Sequence, residues 1–557
     1  MTNWDESVDL VIIGSGGGGL CAALTAHDAG AQVVVLEKER LAGGSTAMSG
    51  GVLWVPNHPL QTGDSVAAAA RYLDAVAGIP ELGSTPRRRA AYLKTAPELV
   101  SFLMSKGLKF VRDERPDYYD ELPGGSVEGR SLVVPLFDLR KLGAWQDKLR
   151  AGPIPLPVQG AEGRLLTLAG RTPRGMLVAL RVYFRKYAMR LMGWKLVGLG
   201  AALQGRMLEI LLRAGINIKL ESPVVDFVVE GERVAGVIIG RGGGMRRVEA
   251  RKGVLIASGG FARNREMRER WQPKPTSTEW TNSSTGETGE MIEAAIRLGA
   301  AVHNTQEAIW IASSLMPSRA TPAMHATELA KPHIIVVNQS GKRFFDEAGS
   351  YMEAGQRIYS DGSVPCWAIM ESRHRNKYNW GKIPPRLSPA SWLTSGYMKK
   401  ADTIEQLAGM CAIEPAALKE TIDRFNQFAY RGRDLDFKRG DRAYDRYWGD
   451  PTVRPNPSLG AISRAPYYAV ALYPGDVGTF GGLVTDEHGR VLRADDSPIP
   501  GLYATGNATA SVVGKSYPGA GASIAASFVF GHLATKHALG STKVQDCLPS
   551  AFARRLA

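Results

Sequence analysis

The run Gly14-Ser15-Gly16-Gly17-Gly18-Gly19, followed 23 residues beyond Gly14 by Glu37, has the residue types and spacing to hold a dinucleotide. Gly14 allows a tight turn, Gly16 lets backbone approach a pyrophosphate, and Gly19 lets a helix pack closely on a strand. The N–H groups and positive dipole end of a helix starting here would face the phosphates. Glu37 stands where a carboxylate accepts from a ribose hydroxyl. The elements that must position these groups surround them. Leu10 to Ile13 reads as a buried strand, an apolar helix pattern follows the glycines, and Val33 to Leu36 reads as a second strand ending on Glu37. A lone GxGxxG carries little weight in a chain with 63 glycines, but strand, turn, helix, strand and acid together mark a dinucleotide-binding unit.

Beyond Glu37 and Lys38 comes Leu41-Ala42-Gly43-Gly44-Ser45-Thr46-Ala47-Met48-Ser49-Gly50-Gly51, small and hydroxylic, able to lie flat against a second nucleotide-sized group. Val254 to Gly260 is another apolar run ending in small residues, and Gly501-Leu502-Tyr503-Ala504-Thr505-Gly506-Asn507 repeats the theme near the far end. If both ends serve one cofactor, Gly14 and Gly506 must meet in space. NAD is the alternative, although a simple NAD enzyme would not need the second clamp. The pattern resembles the flavoproteins of the fumarate reductase and succinate dehydrogenase superfamily, in which N- and C-terminal segments jointly hold FAD. The resemblance implies FAD contacts at Gly14, Ser15, Gly16, Gly17, Gly18, Gly19, Glu37 and Lys38. It adds Gly44, Ser45, Thr46, Ser49, Gly50 and Gly51 from the loop, Ala257 and Gly259, and Gly506, Asn507, Ser523 and Ile524. Covalent attachment in that superfamily uses a histidine after the acid; residues 41–51 contain none, so noncovalent FAD is expected.

Four further stretches sharpen the resemblance. They are Pro116-Asp117-Tyr118-Tyr119, Gly341-Lys342-Arg343-Phe344-Phe345-Asp346-Glu347 leading to Tyr351, Pro474 to Gly482, and Ser516-Tyr517-Pro518-Gly519-Ala520-Gly521. With the glycine fingerprint they resemble the 3-ketosteroid Δ1-dehydrogenases over nearly the whole chain. The resemblance implies a base at Tyr351, a helper at Tyr118, and a carbonyl-binding pair at Tyr517 and the Gly521 N–H. Desaturation beside a ketone removes an α proton and a β hydride, and the flavin takes the hydride. Donors at the ketone oxygen ease the proton's removal. Trp310, Ile311, Met316 and Met324 are the expected apolar walls. Ala520 stands where the family often has proline. Any one of 18 tyrosines alone reads as a packing residue; the set in matching motifs reads as catalytic. No Arg or His stands out at these motifs as a proton donor, which disfavours fumarate-type reduction. Alternatives are desaturation of a smaller cyclic ketone, attack at another steroid bond, or a flavin-loaded binding protein.

The chain of 557 residues is expected to form an α/β fold: a Rossmann-type FAD-binding domain, fumarate reductase flavoprotein-like, with an inserted α+β substrate domain. The expected boundaries are 1–305, 306–474 and 475–557. Arg87-Arg88-Arg89 reads as a solvated turn, residues 111–163 as loop, and Ile216 to Lys219 as part of a hairpin sheet with 224–229 and 234–239. Cys21, Cys366, Cys411 and Cys547 show no paired spacing, so neither disulfides nor a metal site is expected. No signal peptide is expected, and the compartment expected is the cytoplasm. The net charge of +14 concentrates between Arg164 and Lys195, with eight Lys or Arg and no Asp or Glu. Met176, Leu177, Leu180, Phe184, Tyr187 and Leu191 recur there at helical spacing. Such a helix either rests on the anionic inner face of a membrane or turns its apolar stripe to the protein's own core. No motif accompanies the charge to suggest nucleic acid. The remaining partners expected are an apolar ketone substrate and an external electron acceptor such as a quinone.

Overall fold

In the computed structural model, residues 2–241, 244–317 and 319–540 are described; Cys547 lies outside them. Strand Glu6–Ile13 runs parallel to Val33–Leu36 on one side and Gly244–Ile256 on the other. Val11, Ile12, Val34, Val35, Val254 and Ile256 have no exposed surface, and β-branched runs buried on both faces favour a parallel sheet. Pro498–Ala504 pairs parallel with Gly244–Ile256, so the chain's late segment joins the first sheet. Ile13, Leu36, Ile256 and Ala504 end at the same level. Ligands of open parallel sheets bind beyond such carboxyl ends.

Helix Gly17–Asp28 starts at that edge and packs on helix Ala522–Ala538, which is apolar around its circumference. A Cβ on Gly531 would stand 2.5 Å from the Gly18 carbonyl oxygen, so the two backbones touch. A Cβ on Gly18 would meet the Thr505 side chain at 2.9 Å. The expected meeting of the two chain ends is therefore built from small residues.

The second sheet is antiparallel. Its spine, Tyr467–Thr479, pairs with Ala308–Ser314, Cys366–Glu371 and Met398–Ala401, and spans the expected 474/475 boundary. Three local expectations change. Asn217–Lys219 pairs parallel with Val33–Leu36, at the sheet edge opposite the hairpin formed by Val224–Glu230 and Arg233–Arg241. Arg87-Arg88-Arg89 lies in helix Pro86–Ser105, with Arg88 and Arg89 buried. Arg88 donates to the Ala510 carbonyl at 2.9 Å and Arg89 pairs with Asp74 at 3.0 Å, partners distant enough in sequence to leave no local trace. Residues 111–163 are not all loop: Val111–Asp113 and Ser131–Val133 pair with each other, and Leu53–Trp54 joins them. That small sheet fixes the turn carrying Tyr118.

Candidate active site

A cavity of about 900 Å³ lies beyond the carboxyl ends of the parallel strands. Gly14, Ser15, Gly16, Gly17, Gly18, Glu37, Lys38, Gly44, Ser45, Thr46, Ser49, Gly50, Ala257, Gly259, Gly506, Asn507, Ser523 and Ile524 line it. Gly19 and Gly51 do not. Each packs behind the wall: a Cβ on Gly19 would lie 2.1 Å from the Gly14 oxygen, and one on Gly51 2.4 Å from Leu199. Gly14 has φ +105, and a Cβ there would stand 2.5 Å from the Ala257 carbonyl oxygen. Glu37 is held in place: one carboxylate oxygen accepts from the Ser15 N–H at 3.0 Å and its Oγ at 2.6 Å, and the other from the Glu39 N–H at 3.0 Å. This cradle of mostly small residues, with helix N–H groups at one end and a fixed acid at the other, fits a flavin dinucleotide.

Sequence reasoning missed one cradle residue. Glu287 is buried in the cavity wall, accepts from the Ser45 hydroxyl, and has no partner for its other oxygen. Burial pushes its carboxyl up to about 7, against the hydrogen bond from Ser45. No spacing in the sequence marks it.

Tyr118, Tyr351, Tyr517 and Gly521 line the same cavity. The three rings form a triangle, with centroids 5.6 Å apart for Tyr118–Tyr351, 5.9 Å for Tyr118–Tyr517 and 5.6 Å for Tyr351–Tyr517. Three distant segments are tied to make it. The Tyr118 N–H donates to the Pro518 oxygen at 3.0 Å, and the buried Asp117 accepts from Trp54 Nε1 at 2.8 Å. Tyr351 opens helix Tyr351–Asp361, whose Gly355 rests on Trp310. Tyr517 and Ser523 hydroxyls are 2.8 Å apart, and the Ser523 N–H points at the Tyr517 oxygen at 3.3 Å. Gly521 caps helix Ala522–Ala538 with φ +87, and a Cβ there would stand 2.0 Å from the Val52 oxygen. No other residue type fits.

Electrostatics separates the tyrosines. Burial raises the Tyr517 phenol, so it stays protonated and able to donate. Burial, then the neighbouring Tyr517, pushes Tyr351 well above the ordinary phenol range, and a hydrogen bond with Tyr118 works the other way. Two further groups were not foreseen. The Tyr444 ring lies 4.3 Å from that of Tyr118, and Arg115 lines the cavity with Asp113 at 3.4 Å as its ion-pair partner. Burial raises the pKa of both Tyr118 and Tyr444, and the Arg115 charge offsets part of that rise. Arg115 precedes the Pro116-Asp117-Tyr118 stretch directly; Tyr444 carries no sequence signal at all.

Of the expected walls, Ile311 and Met324 line the cavity and Trp310 and Met316 do not. Ala308–Ser314 is a strand, so alternate residues face opposite ways. Ile309 therefore joins Ile311 at the cavity, while Trp310 packs against Tyr359. Met316 packs on Gly381.

A family model described as an FAD binding domain matches residues 9–524. The 3-oxosteroid 1-dehydrogenase of Mycobacterium tuberculosis (strain ATCC 25618 / H37Rv) is 39% identical over 96% of this chain and 98% of its own. The chain belongs to the FAD-binding 3-oxosteroid 1-dehydrogenase family. A solved 3-ketosteroid delta1-dehydrogenase from Sterolibacterium denitrificans, in complex with 1,4-androstadiene-3,17-dione, superposes with TM-score 0.91 at 35% identity, covering 96% of this chain and 100% of that one. The 4-oxocyclohexanecarboxylate 2-dehydrogenase of Sinomonas cyclohexanicum is 34% identical over 97% of this chain and 94% of its own. The family fold, the FAD cofactor and the oxidoreductase class expected from the sequence are thus established. Among the described residues no helix is long and apolar enough to cross a membrane.

Proposed function

We propose that this flavoenzyme introduces the 1,2 double bond into a 3-ketosteroid. The observation that carries the reading is the tyrosine triangle, closed over the cavity that the dinucleotide cradle also lines. The ketone oxygen binds between the Tyr517 hydroxyl and the Gly521 N–H. Two donors there stabilise the developing enolate, each by roughly 3–4 kcal/mol. Tyr351 removes the α proton, and Tyr118 donates a hydrogen bond that supports its ionised form. FAD, held noncovalently, supplies the hydride acceptor for the β carbon. Pro153, Ile154, Ile309, Ile311 and Met324 exclude water from the ring system.

Cyclic ketones smaller than a steroid are the second reading, favoured by the relative that acts on 4-oxocyclohexanecarboxylate. Anaerobic mixing with androst-4-ene-3,17-dione, followed at the flavin band near 450 nm, separates the two. Bleaching with a 1,4-diene product is expected. Bleaching by a simple cyclohexanone alone would replace the steroid.

The protein also rests on an anionic membrane face through helix Pro173–Met192. Met176, Leu177, Leu180, Phe184, Tyr187 and Leu191 are all exposed, Leu191 at 70%. Only Gly175, Val178 and Val182 of this helix are buried. At helical spacing Arg174 and Arg181 flank the apolar stripe on one side and Lys186 and Arg190 on the other. All four are exposed and form no ion pair among the described residues. An apolar stripe between unpaired cations suits the interface of acidic lipids. The enzyme works at the cytoplasmic face and passes its electrons to an external acceptor such as a quinone.

A further inference from the structure

The cavity has a closed end and an open end. Tyr118, Tyr351 and Tyr517 sit at the closed end, the first and last only 2% and 3% exposed. Arg319, Thr321, Pro322 and Thr327 line the open end with Lys382, and both cations are exposed to solvent. Strand Ala308–Ser314 connects the two. Trp310 supports the Tyr351 helix, whereas Met316, just past the strand, packs on Gly381 beside Lys382. Six residues of extended chain span up to about 20 Å, a distance comparable with a four-ring skeleton and a short side chain.

Lys382 is placed there against the grain of its backbone. Trp380 and Ile383 exchange both backbone hydrogen bonds, at 3.0 and 2.9 Å, around the two-residue turn Gly381-Lys382. Both turn residues have positive φ, 53 for Gly381 and 71 for Lys382. That turn favours glycine or asparagine, and a lysine in it is strained. Strain of this kind gathers where a side chain serves a ligand.

The two cations also lack anionic partners. Lys382 Nζ donates to the Pro153 oxygen at 2.6 Å, and Arg319 Nη1 to the Gly381 oxygen at 3.2 Å. Neither has a carboxylate within 4.0 Å among the described residues. Partial desolvation of its ammonium lowers the Lys382 pKa, and the nearby Arg319 charge lowers it further. Glu328 is the acid that acts on Lys382, and burial raises its own pKa, which weakens it as a counter-ion.

We propose that Arg319 and Lys382 form an anion site at the cavity mouth, and that the favoured substrates are 3-ketosteroids carrying a carboxylate on the side chain. With the ketone between Tyr517 and Gly521, such an acid extends toward the open end and meets two unpaired cations. Both donate charge-assisted hydrogen bonds, stronger than neutral ones. The Thr321 hydroxyl on the same wall can complete the carboxylate's shell. The inference rests on the ketosteroid reading of the site.

The test compares 3-oxochol-4-en-24-oic acid with its methyl ester, which has the same ring system and no charge. kcat/KM with phenazine methosulfate as acceptor is expected to favour the acid by on the order of tenfold at low salt. The preference should shrink as ionic strength rises. Lys382→Asn keeps a residue suited to the left-handed turn while removing the charge, and Arg319→Gln removes the other. In the double variant the acid-to-ester ratio should fall to about one, whatever the absolute rates. Equal kcat/KM for acid and ester in the natural protein, or a preference that survives both substitutions, overturns the anion site and leaves the ketosteroid reading intact. Failure of both compounds and of androst-4-ene-3,17-dione to bleach the flavin overturns both.

Discussion

Two aromatic clusters, built from the same residue types, are used in opposite ways. Tyr118, Tyr351, Tyr444 and Tyr517 are turned inward, with one arginine, Arg115, among them. Tyr183, Phe184 and Tyr187 of helix Pro173–Met192 are turned outward, at 65%, 62% and 56% exposure, with arginines and a lysine fanned around them. Burial makes a phenol's charge expensive and its hydrogen bonds strong, which is what proton transfer and carbonyl binding require. Exposure leaves the same rings with an apolar surface and a wet hydroxyl, which is what a lipid headgroup layer receives. The difference is set by what covers the cluster. The inner set is capped by segments around 52–54, 116–130 and 516–523; the outer set is held from behind by three valines.

Removing the inner phenol proposed to take the proton should break this contrast most severely. Tyr351→Phe should slow flavin bleaching by androst-4-ene-3,17-dione by about 10³-fold or more, read by anaerobic stopped flow. Tyr517→Phe should cost on the order of 10² to 10³-fold, since the Gly521 N–H remains. A Tyr351→Phe enzyme with near-normal bleaching would place the base elsewhere.

The pH profile sharpens the contrast next. In the proposed reaction Tyr351 acts when ionised, and burial lifts its pKa above the ordinary phenol range. The ionised fraction below that pKa grows about tenfold per pH unit, so the bleaching rate should climb steadily from neutral into alkaline solution. Burial raises the pKa of Tyr118 and Tyr444, and Arg115 offsets part of that rise, a contribution that favours an anion within the cluster. Its environment also includes Asp113, Tyr447 and, beyond Tyr447, Arg164. Arg115→Gln should move the profile upward by about one pH unit, and Arg115→Lys should restore most of the shift. A rate lowered equally at every pH would reduce Arg115 to a packing role.

How much of this was legible differs between the clusters. Gly14 to Gly19 and Glu37 are local, contiguous signals, and the cradle forms as read from them, apart from Gly19 and Gly51 lying behind its wall. Tyr118, Tyr351 and Tyr517, each in a recognisable stretch, come together at one cavity as expected. Tyr444 and Glu287 enter through contacts between segments hundreds of residues apart, which no periodicity encodes. Trp310 and Met316 were misplaced because choosing the cavity face of a strand needs its register, and one step along a strand reverses the side chain. The stripe on helix Pro173–Met192 was legible, but its direction was not: a stripe of the same pattern can face a core or a membrane.

That direction can be tested at the surface first. Leu177→Ser, Phe184→Ser and Leu191→Ser together should weaken sedimentation with phosphatidylglycerol vesicles at least tenfold, each removing apolar area worth about 1 kcal/mol or more at an interface. Flavin bleaching by a steroid presented in dilute solution should change little. Retained vesicle binding would return the outer rings to mere solvent exposure.

The smallest effect concerns what holds the outer cluster in place. Val178 and Val182 pack against Val158, with Leu156, Leu165 and Leu166 alongside. Arg185 donates to both Glu162 oxygens at 2.8 Å and to the Pro157 oxygen at 2.6 Å. This is a thin attachment for a helix of 20 residues. Val182→Ala removes two methyl groups from it, about 1.6 kcal/mol of burial. Because the helix touches the rest of the protein through so few buried groups, that loss should appear as local opening before global unfolding. Faster tryptic cleavage between residues 164 and 195, with an unchanged flavin spectrum and nearly unchanged melting temperature, is the expected result. A melting temperature that falls by several degrees would mean instead that the helix is an integral part of the core, and the outer cluster would then be a continuation of the inner one rather than its opposite.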